Sequence, residues 1–266
     1  MIGHVTFKNS SVRYSDKGKG NAIVLLHGFL ESLHIWDTFS DCLSKQFRVI
    51  SIDLLGHGET PCIGYIHTME LMAECLKSVM DSLDIKKFVL AGHSMGGYVA
   101  LSFYEKYPHQ IAGLCLFHST AMPDSEKRKI DRDRMVLVVK QNRRQFVSDL
   151  IPKLFAKENI SKNKNDVTVA KQIAMNTSKQ GTVAALKGMK ERSSKEMVLK
   201  NAVNPVLFII GKKDVILAWE NLLLLATLPK QPVTVVLENA GHMGFYEAPD
   251  ETVAALENFA RTCYSL

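Results

Sequence analysis

The sequence predicts an α/β protein built on a mostly parallel, doubly wound sheet, with a helical segment inserted in the middle of the chain. Three observations lead there. Apolar runs of strand length recur at 22–26, 48–52, 88–91, 114–117, 206–210 and 233–237. Stretches with helical spacing of apolar residues lie between them, the pattern of parallel strands joined by crossover helices. From Met122 to Asn204 the strand rhythm stops and only helical patterns continue.

Taken in order, the opening segment 5–14 alternates apolar and polar residues and reads as an antiparallel edge. Met72, Cys75, Leu76, Val79, Met80 and Leu83 follow the i, i+3, i+4, i+7 spacing of an amphipathic helix. Thr68 is placed to cap it and Glu70 stands in its first turn. Within the insertion, Met135, Leu137, Val138 and Val139, then Phe146, Leu150, Ile151, Leu154 and Phe155, suggest helices, and the polar stretch 157–166 suggests a break. Near the C-terminus, Val253, Leu256 and Phe259 share one helical face. The expected organisation is a core of residues 1–120 and 205–266, with 121–204 as a helical cap over the carboxyl edge of the sheet.

Size and composition narrow the function. A chain of 266 residues, 46% hydrophobic and 23% charged, suits one large domain with a sizeable core. No apolar run approaches membrane-spanning length; a candidate such as 222–226 is far too short. Residues 1–8 lack the basic start and apolar centre of a signal peptide. The five cysteines have no C-x-x-C spacing and read as reduced, mostly buried thiols, so a cytoplasmic location is expected. Net charge is +6, and the segment 121–200 carries 19 Lys and Arg against 9 Asp and Glu. That excess is either an electropositive cover that attracts anions or, as we favour, the solvated outer faces of helices. A nucleic-acid reading of the pI of about 9.0 is poor, because the basic residues are not interleaved with aromatics and no recognition motif appears.

The chemistry concentrates in Gly92-His93-Ser94-Met95-Gly96, set between a short apolar strand and a helix-like run. A serine on so sharp a strand-to-helix turn needs a strained backbone, which persists only where flanking residues lack bulk. The helix N-terminus then directs unpaired N–H groups at the spot where a developing oxyanion would sit. A serine hydroxyl needs a base to take its proton, and the base needs an orienting carboxylate. Ser94, Asp214 and His242 supply the three groups in that chain order, each from the end of a different strand, where open parallel sheets bind ligands.

These motifs, with His27-Gly28-Phe29, Asp53-x-x-Gly56-His57-Gly58, Gly211-x-x-Asp214 and Gly241-His242 followed by Glu247-Ala248-Pro249, make the chain resemble the α/β-hydrolase superfamily over nearly its whole length. The resemblance implies a sheet of about eight strands, Ser94 as nucleophile, His242 as general base and acid, and Asp214 as its partner. It also implies an oxyanion hole from the backbone N–H groups of Phe29 and Met95, and a structural role for the turn 53–60. The chain departs from many relatives in having no proline soon after Asp214. Asp124, in the loop after the preceding strand, is the alternative acid. His27, His57 and His93 belong to motifs where histidine is a hydrogen-bonded structural residue, and Ser119 reads as a satisfied core serine. Phe146, Leu150, Leu154 and Phe155 either line an acyl pocket or simply pack on the sheet. Methionines of the insertion (Met122, Met135, Met175, Met189, Met197) would suit an adaptable site or serve as core filler.

The expected function is a serine hydrolase acting on a small ester-like molecule (carboxylic ester, lactone or thioester) through an acyl-enzyme on Ser94. Neither cofactor nor metal is implied, since the histidines lack ligand spacing. The expected partner is a small-molecule substrate, and the chain is read as monomer or homodimer. Alternatives are a small-ligand sensor that retains the three residues, and a carbon–carbon bond hydrolase. The menaquinone-pathway lyases that resemble this chain usually place arginine directly after the Gly-Gly of the elbow. Tyr98 holds that position here, which argues against that role.

Overall fold

A computed structural model describes residues 1–265; Leu266, the last residue of the expected core, lies outside the described residues. Eight strands form one sheet: β1 (Ile2–Phe7), β2 (Ser10–Lys17), β3 (Ala22–Leu26), β4 (Arg48–Ile52), β5 (Phe88–His93), β6 (Ile111–Phe117), β7 (Val206–Gly211) and β8 (Pro232–Leu237). Their order is β1-β2-β4-β3-β5-β6-β7-β8. β2 pairs antiparallel with β1 and β4, and every other pairing is parallel. β3, β5, β6 and β7 are buried along their whole length, as central strands covered on both faces must be.

The expected antiparallel edge is a hairpin of two strands. Lys8 and Asn9 form its turn with φ of 46° and 61°, the doubly left-handed geometry that matches strand twist. The turn carries no glycine, which is why the alternation in the sequence reads as one element.

The ten helices named here are α1 (Asp37–Leu43), α2 (Met69–Ser82), α3 (Met95–Lys106), α4 (Glu126–Leu150), α5 (Lys164–Asn176), α6 (Lys179–Glu191), α7 (Glu196–Lys200), α8 (Trp219–Ala226), α9 (Gly244–Glu247) and α10 (Pro249–Ser265). α2 packs on α3, and α1 on α10, covering the two sides of the sheet. The Thr68 hydroxyl accepts from Leu71 N–H at 3.1 Å, the expected cap of α2. α4 is broken at Asn142, where φ −147° and ψ 83° leave the helical region, and the Asn142 side chain accepts from Gln145 N–H to start the second half. The polar stretch 157–166 is only partly a break, because α5 begins inside it at Lys164, with Asp166 in its first turn where the helix dipole favours an acid.

Strand order reverses between β3 and β5. The chain leaves β3 toward one edge and β5 toward the other, which opens a crevice between their carboxyl ends. The hydrophobic core runs from the sheet into the inserted helices, taking in Val139, Phe146 and Leu186. All five cysteines are free; Cys75 and Cys115 are buried and the other three only partly so. Among the described residues no helix is long and apolar enough to cross a membrane, and no group of three or more His, Cys, Asp or Glu could hold a metal ion.

Candidate active site

Ser94 stands at the crevice, between the end of β5 and the start of α3, with φ 50° and ψ −113°. For a residue with a side chain that is a strained backbone, held by what surrounds it. A Cβ on Gly96 would lie 2.5 Å from the Leu26 carbonyl oxygen, and one on Gly92 would collide with the Gly96 carbonyl. Glycine at both positions is therefore required by contact, as the motif suggests. Ser94 N–H donates to Phe117 O at 2.9 Å, and Ser119 Oγ donates to Ser94 O at 2.8 Å, so Ser119 buttresses the turn.

His242 Nε2 is 2.9 Å from Ser94 Oγ, and His242 Nδ1 is 2.7 Å from Asp214 Oδ2. The three side chains expected from the ends of β5, β7 and β8 thus meet in one hydrogen-bonded line. Asp214 Oδ1 accepts from Ile216 N–H at 2.7 Å and Leu217 N–H at 3.1 Å. These bonds fix the acid, and proline at either residue would remove a donor. His242 N–H donates to Leu154 O at 2.7 Å, so the inserted segment itself holds the histidine loop. Glu247 holds that loop from the other side, accepting from Gly241 N–H at 2.8 Å and from Ala156 N–H at 2.8 Å.

Asp124 is elsewhere. Its carboxylate lies 2.9 Å from Arg132 Nε and 2.8 Å from Arg192 Nη1, both buried. The two guanidiniums consume it as an ion-pair partner, so it makes no bond to His242.

Burial pushes the His242 imidazole down, but the charge and hydrogen bond of Asp214, with Glu31 behind, outweigh it, and His242 titrates above its ordinary value. Burial pushes the Asp214 carboxyl up, but His242, His118 and the Ile216 N–H outweigh it and hold it below the usual aspartate range. His118 Nδ1 accepts from Gly211 N–H at 3.1 Å and lies 3.7 Å from Asp214 Oδ2; burial drives its titration far down, so the ring is neutral. His27 is structural, donating from Nδ1 to Gly28 O and accepting Leu54 N–H at Nε2.

Phe29 N–H makes no hydrogen bond to protein among the described residues, and Met95, at the first position of α3, has no intrahelical acceptor for its own. Leu30, next to Phe29, has φ 64° and turns the loop back. Glu31 is a site residue that the motifs do not reveal. It accepts Gly28 N–H at 2.5 Å and lies 3.0 Å from His93 Nδ1, while His93 Nε2 donates to His242 O at 2.9 Å. Its only trace in the sequence is an acid three residues beyond Gly28 in an otherwise apolar loop.

A cavity of about 360 Å³ opens on Ser94 and His242, with Phe29, Glu31 and Tyr98 beside them. The inserted helices complete it with an apolar wall of Met135, Phe146, Leu150, Leu154 and Met189 and a charged wall of Arg128, Asp131, Arg132 and Arg134. Phe155 does not line it; the ring stacks on Tyr246 at 6.0 Å. Nor do Met122, Met175 or Met197. The basic residues of the insertion are therefore not all solvated outer faces, because Arg128 and Arg132 turn inward along α4, while Arg134 edges the cavity with its side chain mostly exposed.

Such an elbow, opening into a cavity at the switch point of a doubly wound sheet, defines an enzyme of the hydrolase class. The chain belongs to the alpha/beta hydrolase fold family, whose sequence model matches residues 21–249. It is similar to the AB hydrolase superfamily protein YisY of Bacillus subtilis (strain 168), at 26% identity over 274 residues covering 98% of this chain and 100% of that one. A putative 2-succinyl-6-hydroxy-2,4-cyclohexadiene-1-carboxylate synthase of the same organism is 29% identical over 256 residues, 91% of this chain and 92% of that one. Among solved structures, a thermophilic esterase from Thermogutta terrifontis in a malate-bound form matches with a TM-score of 0.94 at 31% identity, over 99% of each chain.

Proposed function

We propose that the protein is a serine hydrolase that cleaves small ester-like substrates, carboxylic esters, lactones or thioesters, through an acyl-enzyme on Ser94. The observation that carries this reading is the line from Asp214 through His242 to Ser94 Oγ, at 2.7 and 2.9 Å, ending in a cavity of about 360 Å³. His242 Nε2 takes the Ser94 proton as Oγ attacks the carbonyl carbon. The tetrahedral oxyanion is held by the N–H groups of Phe29 and Met95, a contribution worth about 10²–10³ in rate per donor. His242 then protonates the leaving alcohol or thiol as the carbon–heteroatom bond breaks. Water, deprotonated by the same nitrogen, attacks the acyl-enzyme and releases the acid and free Ser94.

Residues 121–204 serve in this reading as the cap. The Leu154 carbonyl bonded to His242 N–H and the wall of α4 support that role, since without them the histidine loop loses a contact and the cavity one side. The T. terrifontis esterase favours ester chemistry here. The similarity to the putative synthase makes a lyase the competing chemistry, and Tyr98, in the position where such lyases carry arginine, weighs against it.

The test is steady-state hydrolysis of 4-nitrophenyl esters from acetate to octanoate, beside Ser94→Ala. Turnover lost in Ser94→Ala, with a fluorophosphonate adduct at Ser94 in the wild type, supports the reading. A folded wild type that gives neither turnover nor adduct sinks it. A stoichiometric adduct without turnover favours the small-ligand sensor.

A further inference from the structure

The charged wall of the cavity has an excess of guanidinium over carboxylate. Arg128 has no carboxylate within ion-pair distance among the described residues; its guanidinium donates a 3.3 Å hydrogen bond from Nη2 to the Ile216 carbonyl. Ile216 belongs to the Asp214 turn, so that bond sets the Arg128 head beside the reacting groups, near enough to oppose protonation of His242. Arg132, one turn along α4, is 10% exposed in its side chain and shares the single Asp124 carboxylate with Arg192. Only its Nε is engaged by Asp124, and its terminal nitrogens make no hydrogen bond to protein among the described residues.

The acids facing the same space do not cancel this excess. Glu31 is committed to Gly28 N–H and His93. Asp131 is taken by Arg134 at 3.2 Å, a mostly exposed pair that contributes little. What is left is a half-buried guanidinium with free donors, backed by a second, beside a serine poised to attack a carbonyl. A planar fork of N–H donors matches a carboxylate in two parallel bonds, a geometry that lysine does not offer.

We propose that the substrate is an ester whose acyl part carries a carboxylate, a half-ester of a dicarboxylic acid, with that carboxylate bound by Arg128 and backed by Arg132. The inference rests on the serine hydrolase reading above and adds the substrate class to it. The carbonyl sits at Ser94, the short acyl chain lies along Leu150 and Met135, and the free carboxylate meets the guanidinium at the mouth. The apolar wall is what excludes water from that ion pair.

The experiment compares two esters of nearly equal size by pH-stat. Monoethyl succinate carries a carboxylate where ethyl butyrate carries a methyl group. The wild type is expected to prefer monoethyl succinate in kcat/KM by at least tenfold, and Arg128→Gln to lower that ratio by about 10- to 100-fold, the range of a charge-assisted hydrogen bond. Lys140→Gln removes one positive charge from an exposed position of α4 away from the cavity and is expected to keep the ratio, which separates contact from long-range attraction. Binding of monoethyl succinate to Ser94→Ala, followed by calorimetry with and without Arg128→Gln, reads the anion site without turnover.

Turnover of ethyl butyrate with no preference, or a preference that survives Arg128→Gln, overturns the proposal and leaves the hydrolase standing. If neither ester is hydrolysed, the 4-nitrophenyl series and the Ser94 adduct decide the hydrolase reading. Calorimetry then decides the anion site alone: Arg128-dependent binding supports it, and its absence overturns it.

Discussion

The His93 imidazole lies 3.0 Å from the Glu31 carboxylate with both side chains buried, immediately behind Ser94. Burial pushes the Glu31 carboxyl up, but His93, with His27 and the Gly28 N–H, outweighs it and keeps Glu31 ionised. The ring bridges the Glu31 carboxylate at Nδ1 and the His242 carbonyl at Nε2. One imidazole ties the loop that carries Phe29 to the loop that carries His242. Replacing Glu31 by Gln is expected to lower kcat more than it raises KM, by about 10²-fold, since a small misplacement of reacting groups costs that much. Replacing it by Ala leaves His93 without its buried partner and is expected to cost about 3–5 kcal/mol in urea unfolding. Unchanged values in both variants would reject the link.

In the proposed mechanism, the raised titration of His242 would set the acid limb of the rate profile. The imidazole must be neutral to accept the Ser94 proton, so kcat/KM is expected to rise with pH through a midpoint above about 6.5. Asp214→Asn removes the charge that holds the midpoint up, and burial and Arg128 then dominate. The midpoint is expected to move to lower pH while kcat falls by on the order of 10⁴-fold. A midpoint that stays put would mean that another group titrates.

Asp124→Asn tests the alternative acid. It leaves Arg132 and Arg192 without their shared carboxylate, both nearly buried, and is expected to destabilise the fold by about 3–5 kcal/mol. The acid limb of the rate profile is expected to survive in the folded fraction. Its disappearance there would return Asp124 to the catalytic centre.

Stability should fall in mild acid. Burial depresses the titration of His27, His57 and His118 in the folded chain, the last two far below the ordinary value. The unfolded chain takes up those protons from about pH 6.5 downward while the folded chain does not, so their contribution is complete above that pH and is lost as pH falls. Burial lowers His67 in the same way, and His242, titrating high, works against these four. A melting temperature that is flat from pH 7.5 to 5 would contradict this.

The sheet was legible because its central strands are short apolar runs and its turns carry glycine. Ser94, Asp214 and His242 were legible because each follows such a run in a motif whose chemistry needs that residue type. The N-terminal hairpin was not, since its Lys8-Asn9 turn lacks the usual glycine. α5, α6 and α7 hid within a polar, basic stretch whose apolar residues are too sparse to mark individual helices. Glu31 and Arg128 were invisible for a different reason. Their roles come from partners 62 and 88 residues away, and no local pattern encodes which way a side chain on a loop or helix turns.

The break at Asn142 has a consequence for how such a cavity diversifies. The charged wall (Arg128, Asp131, Arg132, Arg134) lies wholly before it and Phe146 and Leu150 wholly after it. The charged lining is thus written wholly on the first of two rods joined at one residue, and the apolar lining of α4 on both, Met135 and Val138 before the joint and Phe146 and Leu150 after it. A change in the joint alone would swing one rod against the other and retune the chamber without altering any group that lines it.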